Sequence, residues 1–120
     1  HEEAATKFQE AIVQDPKNGS LHLSLGLVYQ SLKRYGDSIA VLEVAAALNE
    51  KSPKPHYSLG LLYEAAAMDP KRFGLPDDAP RRWAKAKAAW TRVLDLEKDS
   101  RKRAVAKKHL AAAAERLGEP

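Results

Sequence analysis

Leu21-His22-Leu23-Ser24-Leu25-Gly26-Leu27-Val28-Tyr29 returns as Pro55-His56-Tyr57-Ser58-Leu59-Gly60-Leu61-Leu62-Tyr63, and this recurrence decides the fold. The offset is 56 − 22 = 34, and His, Ser, Leu, Gly, Leu and Tyr are identical in the two copies. A second pattern keeps the same step. Ala4, Phe8, Ala11 and Pro16 are spaced by 4, 3 and 5, and Ser38, Leu42, Ala45 and Glu50 repeat that spacing at the same offset. Ala86, Trp90, Val93 and Lys98 carry it again. A fixed period of this size marks a repeat architecture.

Spacings of 3 and 4 place side chains on one face of a helix. Working outward, the chain reads as helices over 2–15, 20–33, 37–49, 54–68, 80–97 and 101–117. Between them lie Asp15-Pro16-Lys17-Asn18-Gly19, Arg34-Tyr35-Gly36, Ser52-Pro53-Lys54-Pro55, the segment 69–79 and Asp99-Ser100. Pro, Gly and Asn are the residues that end helices. Ser20, Asp37, Ser52 and Ser100 are the expected N-caps, since a short side-chain oxygen can accept from a free N–H of the first turn.

A period of 34 with a Leu-Gly…Tyr helix followed by an Ala…Phe…Ala…Pro helix resembles the tetratricopeptide-repeat family. Leu25, Gly26, Tyr29, Leu59, Gly60 and Tyr63 match the first-helix motif. Ala4, Phe8, Ala11, Pro16, Ala45, Ala86 and Trp90 match the second. The resemblance runs to Ser100. It implies an all-α fold, an antiparallel helix-pair solenoid (a TPR-like superhelix) with a C-terminal capping helix. The expected organisation is one domain: 1–18 as the second half of a repeat, 19–52 as a repeat, 53–100 as a repeat with an insertion, and 101–120 as the cap. Gly26 and Gly60 are expected where paired helices approach closely, outweighing a helix cost of about 1 kcal/mol. Small Ala11, Ala40 and Ala45 are expected to permit the same approach. Phe8, Leu42 and Trp90 are the large side chains expected to pack between repeats.

Three departures from the family pattern stand out. The chain opens on a second-type helix, so Ala5, Phe8 and Ile12 are expected to form an apolar edge open to another subunit or to preceding sequence. Glu50 and Lys98 stand where the terminating proline belongs. Tyr35 corresponds to Trp83, a step of 83 − 35 = 48, so an insertion of 48 − 34 = 14 follows Tyr63. Within the insert, Glu64–Met68 prolongs a helix, and Asp69–Pro80 reads as a stiff loop because its prolines cannot continue one. Its Phe73 and Leu75 are either part of a tolerated surface insertion or an arm that meets a partner. The final segment shows Ala106, Leu110, Ala113 and Leu117 as one stripe against Arg101, Lys102, Arg103, Lys107 and Lys108, the two-sided character of a capping helix.

Composition narrows the chemistry. Hydrophobic residues are 44% and charged residues 30% of the chain, a globular balance. Cysteine is absent, which excludes disulfides, thiolate metal sites and a cysteine nucleophile. No apolar run has the roughly 20 residues a membrane-spanning helix needs. The opening His1-Glu2-Glu3 has no initiator Met and no signal pattern, as in an excerpt of a longer chain. The compartment therefore stays open, with the cytoplasm weakly favoured. Net charge is −1 over residues 1–60 (6 Lys/Arg, 7 Asp/Glu) and +5 over 61–120 (14 and 9).

The sequence carries no phosphate loop, His-Glu-x-x-His pattern or calcium loop. No catalytic residue, cofactor or metal is expected. His22 and His56 read as packing residues, because two histidines without a recurring Cys or carboxylate make a poor metal site. Asp77-Asp78 reads as acid near a positive helix start. Arg81, Arg82, Lys85, Lys87 and the Arg101–Lys108 run raise the question of nucleic acid. Trp83 and Trp90 fall on core positions and acids intersperse the cations, so a solvated face or an acidic partner is the preferred reading.

The resemblance implies that first-type helices line a concave face that binds a protein or peptide, acidic ones included. The matching positions are Ser20, Leu23, Leu27 and Gln30, then Lys54, Tyr57, Leu61 and Glu64, then Lys102, Val105 and His109. Leu23, Leu27, Tyr57 and Leu61 are the expected apolar centre, with Lys54, Lys102 and Arg103 orienting an acidic ligand. Ser24 and Ser58 occupy positions where the family's carboxylate clamp has asparagines, so no such clamp is expected. Against this stand a spacer, with Leu23 and Leu27 simply core, and a structural module self-associating through Ala5, Phe8 and Ile12. A nucleic-acid-associated basic module ranks behind these.

Overall fold

The computed structural model describes residues 2–119. Among them are six α-helices and no strand: α1 (Glu2–Gln14), α2 (Gly19–Ser31), α3 (Tyr35–Leu48), α4 (Lys54–Met68), α5 (Ala79–Leu96) and α6 (Ser100–Arg116). The chain is all-α, with helix ends close to those expected. It divides into two compact units, residues 1–50 and 51–120.

The helix starts correct the capping assignments. Asn18, not Ser20, caps α2, its side chain accepting from Ser20 N at 3.0 Å. Asp99, not Ser100, caps α6, accepting from Arg101 N and Lys102 N. α3 begins at Tyr35, so Asp37 lies inside its first turn and pairs instead with Arg34 at 2.8 Å. Pro53, not Ser52, immediately precedes α4 and gives it no side-chain cap, while Pro55 occupies the first turn, where a missing N–H costs little.

In the first unit α1 packs on α2 and α2 on α3. Ala5, Leu25 and Tyr29 are buried together, with Phe8, Ile12, Val28, Leu32 and Val41 half-buried around them. This corrects the expectation of an open N-terminal edge: Ala5 is 2% exposed, and Phe8 and Ile12 turn onto the unit's own core. Gln9 donates to the Tyr29 hydroxyl at 2.7 Å. Leu42 and Ala45 of α3 are fully buried, and Leu42 lies against Gly26 so closely that an added Cβ there would sit 2.6 Å from it. Ser38, also buried, donates to the Gly26 carbonyl at 2.7 Å. Ala40 does not mediate close approach; it is exposed.

The α2–α3 turn is tight. Arg34 N donates to Tyr29 O at 2.8 Å and Lys33 N to Gln30 O at 3.0 Å, closing the helix in the manner of a Schellman ending. That geometry puts Lys33 at φ 61°.

In the second unit α5 packs between α4 and α6. Trp90 is fully buried and covers Gly60, where an added Cβ would lie 2.6 Å from the indole. Gly26–Leu42 and Gly60–Trp90 are thus one packing solution used twice, with the insertion separating the second pair further along the chain. The insertion is ordered by a hydrogen-bonded turn from Pro70 to Phe73, closed at Gly74 with φ 64°. Phe73 and Leu75 are half-buried rather than extended into solvent. On α6, Ala106 and Ala113 are fully buried and Leu110 is half-buried, as is Leu117, the residue that caps its C-terminus. Arg103 is not on the wet side: it donates to the Leu94 and Glu97 carbonyls and so satisfies the C-terminal end of α5. No described helix is long and apolar enough to cross a membrane.

Candidate protein-binding faces

Each unit exposes one leucine at the same point of the repeat. Leu27 on α2 is 45% exposed, and Leu61, its equivalent on α4, is 38% exposed. Both sit one residue after the glycine that lets the neighbouring helix approach, so the backbone is held from behind while the leucine faces outward. Around Leu27, Leu23, Ser24 and Gln30 are half-buried and Ser20 is exposed. Leu23 therefore contributes partly to the core, as the spacer reading anticipated. The other leucine is not core.

The second unit shows how its face is built. α4 and α6 run the same way, because each is antiparallel to α5. Gly60 and Tyr63 meet Trp90 and Lys85, while Trp90 and Trp83 meet His109 and Arg116. His109 Nδ1 donates to the Glu64 carboxylate, 3.0 Å from each oxygen, and its ring stacks on Trp90 at 4.6 Å with 17° between planes. Tyr57 meets the same indole edge-on at 5.1 Å. The hydrogen bond fixes the His109 proton on Nδ1 when the ring is neutral. Tyr57, Trp90 and His109 form an aromatic floor, and Glu64 closes one end.

Leu61 and Val105 each lie one turn N-terminal of that bridge, and both are exposed. Lys54 and Lys102 are exposed at the N-terminal ends of their helices, with Lys102 Nζ 3.7 Å from Glu97. Ser58 is half-buried. The face thus has an apolar middle, a cationic end and an acid–imidazole end. Trp90, which sequence reasoning assigned to packing alone, also seats His109. α6 lacks the repeat motif, so nothing in the sequence signalled that contact.

The two histidines of the repeat differ in surroundings. His22 Nε2 lies 2.9 Å from the Pro16 carbonyl and ties α2 to the preceding turn. His56 is half-buried, and burial, reinforced by the positive charge of Arg92, lowers its pKa below the usual 6.5. Among the described residues no group of three His, Asp or Glu could hold a metal ion.

A scan against protein-family models, a search of curated proteins and a search of solved structures each find no match to this chain.

Proposed function

We propose that this chain is a tetratricopeptide-like helical-repeat module, without catalytic activity, that binds a peptide or protein segment through the outward faces of α2 and α4. The period of 34 and the repeated Gly26–Leu42 and Gly60–Trp90 packing support the repeat assignment. The observation that carries the binding role is the equivalent exposure of Leu27 and Leu61. Exposing a leucine twice at one register, each time on a backbone fixed by close helix packing, provides the apolar anchor points that peptide recognition uses. Tyr57, Val105, Glu64, His109, Lys54 and Lys102 extend the second anchor into a face with apolar, cationic and hydrogen-bonding parts.

The test is L27D/L61D. Both positions face solvent, so the melting temperature should stay within a few degrees of wild type. Capture of a partner by the wild-type chain and its loss in the variant supports the reading. A partner retained at unchanged affinity removes it.

A further inference from the structure

The Glu64–His109 bridge fixes the register of α4 against α6, and with it the order of side chains along the face they share. α4 opens at Lys54, 64 − 54 = 10 residues before Glu64, and α6 opens at Ser100, 109 − 100 = 9 residues before His109. At about 1.5 Å of rise per residue, the two helix starts lie roughly 14–15 Å from the bridge and level with one another. One turn back from the bridge come Leu61 and Val105, two turns back Tyr57 and Lys102, and beyond them Arg101 and Lys54. That far end carries charge that folding does not use. Lys54, Lys98, Arg101 and Lys102 are all exposed there. Of the nearby acids, Asp99 accepts from two backbone N–H groups and Glu97 faces Lys102 at 3.7 Å. Among the described residues the side chains of Lys54, Lys98 and Arg101 have no ion-pair partner. Lys54 and Arg101 also stand in first helical turns that hold no acid, where the helix dipole disfavours a cation. Their placement works against the helices that carry them.

We propose, resting on the binding role given to α4 above, that the α4–α6 face takes an acidic–apolar segment of a partner protein in one direction. Its apolar side chains lie on Leu61 and Val105, and its carboxylates meet Lys54, Lys98 and Arg101. Charge complementarity selects this occupant, because those cations meet a ligand anion with no internal acid to displace. The one carboxylate nearer the middle of the face, Glu64, is already held by His109 and does not repel an acidic chain reaching the far end. Spacing sets the pattern of the ligand. Leu61 and Lys54 are 61 − 54 = 7 residues apart on one helix, or about 10 Å. An extended segment covers that distance in about three residues, at roughly 3.3 Å each. A nucleic acid fits less well, since its phosphates would leave Leu61 and Val105 uncovered and Trp90 is fully buried, out of reach of a base.

Random peptides displayed on phage and selected on the immobilised chain test this. Wild type should enrich peptides that pair apolar residues with a nearby run of Asp or Glu. A synthetic copy of an enriched peptide should bind about tenfold or more weakly once its carboxylates are replaced by amides, and equally so to K54E/R101E. Its affinity should fall severalfold between about 0.05 M and 0.2 M salt. K54E/R101E places carboxylates in first turns, where the dipole favours them, so its melting temperature should match or exceed that of wild type. Binding lost in that variant is then lost recognition, not lost fold. Enriched peptides without acids, or acidic peptides that K54E/R101E binds unchanged, overturn the proposal, and the binding role of α4 survives them if L61D abolishes binding. Enrichment of no peptide, whether or not the chain binds duplex DNA, overturns both together.

Discussion

Glu64 on α4 and His109 on α6 meet across 45 residues of chain, with both carboxylate oxygens 3.0 Å from Nδ1 and the imidazole lying on Trp90. The contact joins the first and last helices of the second unit, which otherwise meet chiefly through α5. It therefore sets how far apart Leu61 and Val105 stand. Deleting either partner strands the other: without His109 a carboxylate that is 12% exposed loses its donor, and without Glu64 the ring is held only by its stack.

Alanine at either position should cost about 1–2 kcal/mol, read from urea midpoints. A double-mutant cycle of E64A and H109A should give a coupling of about 0.5–1.5 kcal/mol. A coupling of zero means the two side chains do not support one another in solution.

The same interface makes a prediction for the glycines. Alanine normally improves a helix interior by about 1 kcal/mol over glycine. At Gly60 the added Cβ would lie 2.6 Å from Trp90 Cε2 and 2.9 Å from Cζ2, on a rigid ring with no exposed side to move toward. Overpacking should outweigh the helix gain, so G60A should lose about 1–3 kcal/mol. G26A meets Leu42 at 2.6 Å and should also destabilise, by less, because an aliphatic side chain can change rotamer. Combining G60A with W90F should cost less than the two single effects added, as the smaller ring leaves room for the methyl group.

The helices, their approximate boundaries and the close approach at Gly26 and Gly60 are legible because period and residue size both point to them, whereas Leu42 and Trp90, expected between repeats, fill those approaches within a repeat. What was not legible lies where the repeat gives no instruction. Asn18 and Asp99 cap helices in place of Ser20 and Ser100, because residue type alone does not distinguish neighbouring Asx and Ser side chains as acceptors. Arg103 reads as one more surface cation until its carbonyl partners at Leu94 and Glu97 are seen. The Glu64–His109 contact depends on the register of α6 against α4, and α6 carries no repeat motif to fix it. Ala40 shows the converse, since its small size points to close approach while the residue faces solvent.

Lys33 offers a stabilising change. It ends α2 at φ 61°, a left-handed backbone that crowds Cβ against the carbonyl, and its side chain is exposed. Glycine carries no such strain and is the usual residue at this point of a Schellman ending. K33G should raise stability by about 0.5–1 kcal/mol after allowing for the greater freedom of the unfolded chain. Thermal melts at fixed pH and salt check it, and a lower melting temperature contradicts the strain.

His56 should make the second unit acid-sensitive. Burial in α4 is the larger cause of its lowered pKa, and the charge of Arg92 acts in the same direction. Both disfavour the imidazolium in the folded state, while the unfolded chain titrates near 6.5. At pH 8 neither state binds the proton, and the contribution of His56 to stability is fully present. As the pH falls below about 6.5 the unfolded state takes up a proton that the folded state resists. Stability declines across that window until the folded pKa is passed, below which both states are charged and the decline stops. Phenylalanine keeps the size of the ring and cannot titrate. The difference in melting temperature between wild type and H56F should therefore shift in favour of H56F as pH is lowered from 8 to 5. A difference that stays constant with pH, or shifts toward wild type, contradicts a neutral, desolvated imidazole at this position.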